Sequence, residues 1–120
     1  MSTNWTEDQQ RAICETGGNM LVSAAAGSGK TAVLIERILK AVQEKTDIDR
    51  LLVVTFTTAA AAELRERLYF SLQRKLDSED LPAEQARRLS RQQTLLSAAH
   101  ISTVHSFCLE LVRANFQLLD

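Results

Sequence analysis

Proline occurs once in these 120 residues, glycine four times and cysteine twice, and aromatic residues make up only 5 %. So little proline and glycine excludes a collagen-like repeat and a low-complexity chain. The two cysteines, Cys14 and Cys108, form neither a CxxC pair nor a metal-ligand spacing, which argues against a disulfide scaffold or a zinc module. They read as buried thiols of a cytosolic chain. Charge of one sign is missing too: 14 Lys+Arg stand against 15 Asp+Glu, for a formal net charge of −1. The balance carries no footprint for nucleic acid, although local patches matter more than the sum. No apolar run approaches the about 18 residues that span a bilayer. The start, Met1 to Gln10, lacks the basic-then-apolar layout of a signal peptide. The expectation is a cytoplasmic protein with no membrane partner.

What is present is ordinary globular material, 45 % hydrophobic and 24 % charged, enough for one domain with its own core. Thr6-Glu7-Asp8-Gln9 is a capping-box pattern and predicts a helix over roughly 7–16, closed by Gly17-Gly18. Met20 to Ala24 reads as a short buried strand. A loop and then a helix from about Lys30 follow, with Val33, Leu34, Ile38 and Val42 as its apolar stripe. Leu51 to Phe56 is a second buried strand. Thr57 or Thr58 caps a helix to about Asp77, striped by Leu64, Leu68, Leu72 and Leu76. Pro82 suits the first turn of a further, highly charged helix over roughly 82–97. His100 to Val104 is a third strand, and a last helix starting at His105 or Ser106 carries Phe107, Leu111, Ala114 and Leu118 in line. Apolar strands alternating with helices predict an α/β fold with a parallel sheet. The basic residues between Arg65 and Arg91 are interleaved with acids. They fit the solvated face of a helix first and a DNA-binding patch second.

The segment richest in chemistry is Ala24-Ala25-Ala26-Gly27-Ser28-Gly29-Lys30-Thr31, set between a predicted strand and a predicted helix. It fits the phosphate-loop pattern [AG]xxxxGK[ST]. Gly27 and Gly29 let the backbone bend with its N–H groups turned onto phosphate oxygens. The following helix adds its positive dipole end. Lys30 supplies a point charge, and Thr31 offers a hydroxyl to Mg²⁺. The competing reading is a tight turn that binds nothing. A phosphate loop does not name a reaction. Hydrolysis also needs a carboxylate for the metal and a group that positions water. Neither later strand ends in one: the next acids are Glu63 and Glu110. The expectation is a nucleotide binder without hydrolysis, or a piece of something longer.

Three segments then occur in a telling order: Trp5-Thr6-Glu7-Asp8-Gln9 with the phosphate loop, Val54-Thr55-Phe56-Thr57 running to Glu63, and Ile101-Ser102-Thr103-Val104-His105-Ser106-Phe107. Together they resemble the UvrD/Rep-like superfamily-one DNA helicases across nearly the whole chain. Among these the resemblance is strongest to the AddA subunits of bacterial AddAB helicase–nucleases, including Ala32, where single-subunit UvrD-type enzymes usually place an arginine. The resemblance implies a P-loop, RecA-like sheet and an N-terminal part of a first motor domain, driven by ATP and Mg²⁺. The remaining motor and nuclease domains, with an iron–sulfur cluster, would lie beyond residue 120, and Cys14 and Cys108 are not its ligands.

By the same resemblance Gln9 matches the glutamine that reads adenine, for which the capping box remains the competing role. Lys30 and Thr31 match the phosphate lysine and the metal hydroxyl. Phe56 and Thr57 match a motif on the single-stranded DNA path; a core aromatic is the alternative for Phe56. Thr103, His105 and Ser106 match a second such motif, with a purely structural histidine as the alternative. Thr58 departs from the asparagine usual after Phe-Thr, which puts that side chain's contact in doubt. The implied partners are DNA, single- and double-stranded, and an AddB-like subunit. The rival readings are a UvrD/Rep-type repair helicase without nuclease, a phosphoryl-transfer P-loop enzyme, and a binding module that needs no nucleotide.

Overall fold

The computed structural model of the chain describes residues 4–23, 29–78 and 80–119. Helix α1 (Glu7–Cys14) opens on the predicted capping box: Thr6 Oγ1 accepts from Gln9 N, and Gln9 Oε1 accepts from Thr6 N. It stops at Cys14, short of the expected close at Gly17-Gly18. The carbonyls of Ala12 and Glu15 are taken by the guanidinium of Arg37, each at 2.8 Å. These are acceptors that a helix end leaves without an internal partner.

Helix α2 (Lys30–Glu44) buries Ile35, Ile38, Leu39 and Val42. The expected stripe is therefore rotated. Leu34 is exposed and Val33 only half-buried, because a helix this rich in aliphatics offers more than one apolar face. A 3₁₀ turn over Ile48–Arg50 leads into β1 (Leu52–Thr55). Helix α3 (Thr58–Leu76) buries Leu64, Leu68 and Leu72 as the four-residue spacing predicts, with Leu76 packed at the margin. Helix α4 (Ala83–Leu95) begins immediately after Pro82. Strand β2 (His100–Thr103) and helix α5 (Val104–Ala114) complete the order.

Among the described residues the sheet has two strands, not three. β1 and β2 pair in parallel, with Val53 opposite Ile101 and Thr55 opposite Thr103. The expected strand at Met20–Ala24 does not form over its described residues: 20–23 take no place in the sheet, and Leu21 is 95 % exposed. An apolar run equips a segment for a buried strand, but a strand exists only where a neighbour supplies its ladder. Ala24 lies outside the described residues. The fold is thus mixed helix and strand around a small parallel sheet.

The core lies where α2, α3 and α4 meet one face of that sheet, with Ile101 buried and Val53 packed against it. On the alternate positions of β1, Leu52 and Val54 stay exposed. The expected stripe of α5 is also uncovered: Phe107 is half-buried while Leu111 and Leu118 are exposed, and none of its residues is buried. Helical periodicity shows a face made for packing; it does not supply what packs on it. Nor are the cysteines buried as expected. Cys14 is half-buried, its Sγ accepting from Gln10 Nε2 at 3.2 Å, and Cys108 is exposed on α5.

Candidate functional site

The first group of site residues gathers at the start of α2. Of the expected phosphate loop, Ala24, Ala25, Ala26, Gly27 and Ser28 lie outside the described residues. Gly29 is the N-cap of α2, with φ 85° and ψ 22°. That is the left-handed region that glycine enters without a Cβ clash. The cap has no side-chain hydrogen bond, and the first turn holds no acid. Among the described residues, then, α2 starts with no side-chain cap from Gly29 and no carboxylate in its first turn. Lys30 and Thr31 occupy the first two positions of the helix, and both are exposed. A Cβ built on Gly29 would stand 3.4 Å from Gln9 Nε2. The structure therefore brings Gln9 to the turn that precedes Lys30, although 20 residues separate Gly29 from Gln9 in the chain. Gln9 Oε1 is occupied by the cap of α1, so the competing structural role is real. Using the amide as both donor and acceptor toward a base would require that oxygen to exchange Thr6 N–H for the ligand.

A phosphate group fits this constellation. The left-handed glycine, a helix N-terminus whose cap residue has no side chain and an exposed ammonium group are features that suit an anion. A metal would find less. Among the described residues no group of three or more His, Cys, Asp or Glu is placed to hold one. Thr31 Oγ1 and phosphate oxygens would have to serve.

The second group lies at the carboxyl end of the sheet. Phe56 follows β1 directly and is 98 % exposed, so it is not the core aromatic that was its alternative. Thr57 caps α3, its Oγ1 accepting from Ala60 N at 3.0 Å, while its carbonyl accepts from Thr55 Oγ1. Thr103 repeats the arrangement one strand over. It caps α5, its Oγ1 accepting from Ser106 N at 3.0 Å and donating to Ser106 Oγ at 2.9 Å. His105 is exposed in the first turn of α5. Because Thr55 and Thr103 are register partners, the two Thr-capped turns stand side by side. Between α3 and the β2–α5 turn is a cavity of about 240 Å³ whose lining includes Thr58, Arg65, Thr103 and Ser106.

Several residues that matter here were hidden by the reading of charge as solvated surface. Arg65 donates to the carbonyls of Leu96, Ala99 and Ile101 at 2.6, 3.2 and 3.1 Å. Arg88 donates to those of Val42 and Thr46 and lies 3.5 Å from Asp47 Oδ1. Gln92 is fully buried: its Oε1 accepts from Ile48 N at 2.7 Å and its Nε2 donates to Asp47 Oδ1. The one available signal was position, since Arg65 borders the stripe of Ala61, Leu64 and Leu68. By contrast Arg11 is a surface residue. Its hydrogen bond to Glu15 at 2.8 Å, helped by that carboxylate's charge, raises an already high pKa.

A left-handed glycine thus stands ahead of Lys30-Thr31, and two Thr-capped turns stand at one end of a parallel pair in a mixed helix and strand fold. The family model of the UvrD/REP helicase N-terminal domain matches residues 5–120. The chain belongs to that family. Among similar proteins, the AddA subunit of the ATP-dependent helicase/nuclease of Thermoanaerobacter sp. (strain X514) is 56 % identical over 123 residues, covering 100 % of this chain and 10 % of that protein. Its counterpart of the same name from Alkaliphilus metalliredigens is 52 % identical over 118 residues, covering 98 % and 10 %. One from Clostridium perfringens is 53 % identical over 123 residues, covering 100 % and 9 %. The chain spans about a tenth of the length of the curated relatives it matches.

Proposed function

We propose that this chain is the ATP-binding N-terminal part of the first RecA-like motor domain of an AddA-type helicase–nuclease. The whole protein would move along single-stranded DNA in double-strand break repair and recombination. The observation that carries the reading is the start of α2: Gly29 in the left-handed region, Lys30 and Thr31 exposed behind it, and Gln9 alongside. The names and identities of the relatives support the helicase–nuclease assignment over a helicase alone.

In this reading Gly29 and the N-terminus of α2 receive the phosphates of ATP, with Ala24, Ala25, Ala26, Gly27 and Ser28 assigned to the same loop by sequence pattern. Lys30 Nζ neutralises charge on the terminal phosphates, and Gln9 senses adenine. Thr31 Oγ1 would ligate Mg²⁺, which when bound supplies charge neutralisation at the phosphates. Phe56 stacks on a base of the single strand, a use suited to an aromatic this exposed. Thr57, Thr103, His105 and Ser106 hold its backbone through hydroxyl, imidazole and N–H donors. Helix α2, which begins at the phosphate turn, packs on α3, which begins at Phe56-Thr57. A shift of α2 on nucleotide closure is thus passed to the DNA contacts through packed side chains. The acids that hold the metal and position water, the nuclease and its iron–sulfur cluster, and the surface for an AddB-like subunit belong to other parts of the polypeptide. The site of action is the cytoplasm. No helix among the described residues is long and apolar enough to cross a membrane.

The test is nucleotide binding by the full-length polypeptide with and without Lys30. Wild type should gain stability with Mg·ATP, and Lys30→Ala should lose that gain. A wild-type protein that is folded yet indifferent to every nucleotide would end the proposal.

A further inference from the structure

The Arg65 side chain ties α3 to the chain entering β2, although it is assigned to neither of the turns at the carboxyl end of the sheet. It leaves α3 two turns after the Thr57 cap and places its guanidinium against the chain entering β2. Its three acceptors, the carbonyls of Leu96, Ala99 and Ile101, belong to a 3₁₀ turn over Leu96–Ala98, to the residue that connects it to β2, and to β2 itself. Thr103 lies two residues beyond the last of these. The same side chain lines the cavity that separates Thr58 on α3 from Thr103 and Ser106 on the other wall. Strand β2 is only four residues long and is paired with β1. A short two-stranded ladder is marginal by itself, so a fork fixed on its leading carbonyls bears directly on where β2 sits.

We infer that Arg65 is a positioning residue for single-stranded DNA: by gripping the entry to β2 from α3, it sets the Thr103–Ser106 turn at a fixed distance from the Phe56–Thr58 turn. This rests on the reading of both turns as DNA contacts. The guanidinium acts through β2 and the chain entering it, whose carbonyls it holds. Its planar array of donors reaches three carbonyls at once, which the point charge of lysine does not reproduce.

The experiment measures ATP hydrolysis by the full-length protein, titrated with single-stranded oligothymidylate, for wild type, Arg65→Met, Arg65→Lys and Leu68→Ala. Leu68 is a fully buried core residue of α3, so Leu68→Ala reports destabilisation alone. Arg65→Met should raise the DNA concentration for half-maximal stimulation about tenfold, equivalent to one good contact, with turnover at saturating DNA within about twofold of wild type. Arg65→Lys should fall between, and Leu68→Ala should keep the wild-type half-saturation despite a lower Tm. The inference is overturned if Arg65→Met binds DNA as wild type does, or if Leu68→Ala raises half-saturation equally. It is also overturned if neither Arg65 variant folds, because Arg65 is then a residue of the fold. A wild-type enzyme without DNA-stimulated hydrolysis would defeat the proposed function itself, an outcome separate from all of these.

Discussion

Thr55 and Thr103 face each other as register partners at the last position of the parallel pair β1–β2. From that level each strand turns into a helix whose first N–H groups are met by a threonine hydroxyl, Thr57 for α3 and Thr103 for α5. Two helix N-termini and an exposed phenylalanine are therefore presented together, and the predictions begin there.

Phe56→Ala in the full-length protein should weaken single-stranded DNA binding by about 1–3 kcal/mol, the range for one stacked base. Its stability should barely change, because Phe56 is almost entirely exposed. Fluorescence anisotropy with a labelled oligonucleotide and a urea titration check the two halves.

Lys30→Ala should abolish the thermal stabilisation by Mg·ATP. At about 100 times Kd, binding to the folded state alone contributes about 2.7 kcal/mol in the wild type. Differential scanning fluorimetry over a nucleotide series reads the difference directly.

Gly29→Ala should cost about 1–2 kcal/mol of stability, the penalty for an L-residue held in left-handed backbone. The added Cβ would meet Gln9 Nε2 at an ordinary contact distance of 3.4 Å, so the strain lies in φ. Chemical denaturation measures it, and an unchanged midpoint would contradict the φ of 85° at Gly29.

Gln92→Leu should destabilise the fold by about 1–3 kcal/mol. It removes the acceptor of the buried Ile48 N–H and a donor to Asp47 Oδ1. Asp47 retains Arg88 and Arg91 at 3.5 and 3.6 Å, so the orphaned N–H dominates the loss. Urea unfolding of Gln92→Leu beside Gln93→Leu, whose side chain is only half-buried, separates burial from composition.

These residues also mark how far the sequence could be read. The α3 core was legible because Leu64, Leu68 and Leu72 repeat at a spacing with one helical face. The caps at Thr6 and Thr57 were legible because hydroxyl chemistry at a helix start is local. The Thr103 cap was not, since the apolar run carried the expected strand through Val104 and the helix start on to His105 or Ser106, whereas α5 begins at Val104. The α2 face was not: its large aliphatics, Val33, Leu34, Ile35, Ile38, Leu39 and Val42, surround enough of the helix to leave its orientation to tertiary packing. Pairing was not legible either, as Met20–Ser23 is apolar enough for a strand yet lies outside the sheet. At the site, motif order separated the residues into a group at the start of α2 and a group at the end of the sheet. Arg65, Arg88 and Gln92 escaped because a guanidinium or an amide that satisfies a distant carbonyl looks, in one dimension, like any polar surface residue.

Three arginines, Arg37, Arg65 and Arg88, are fastened to main-chain carbonyls, which is a sizeable share of 14 basic residues. A polyanion gains from displaced counterions only where cations meet its own phosphates. On the proposed reading these three guanidinium groups release no counterions, and the contacts assigned to Phe56, Thr57, Thr103 and Ser106 should change little in strength between dilute and concentrated buffer.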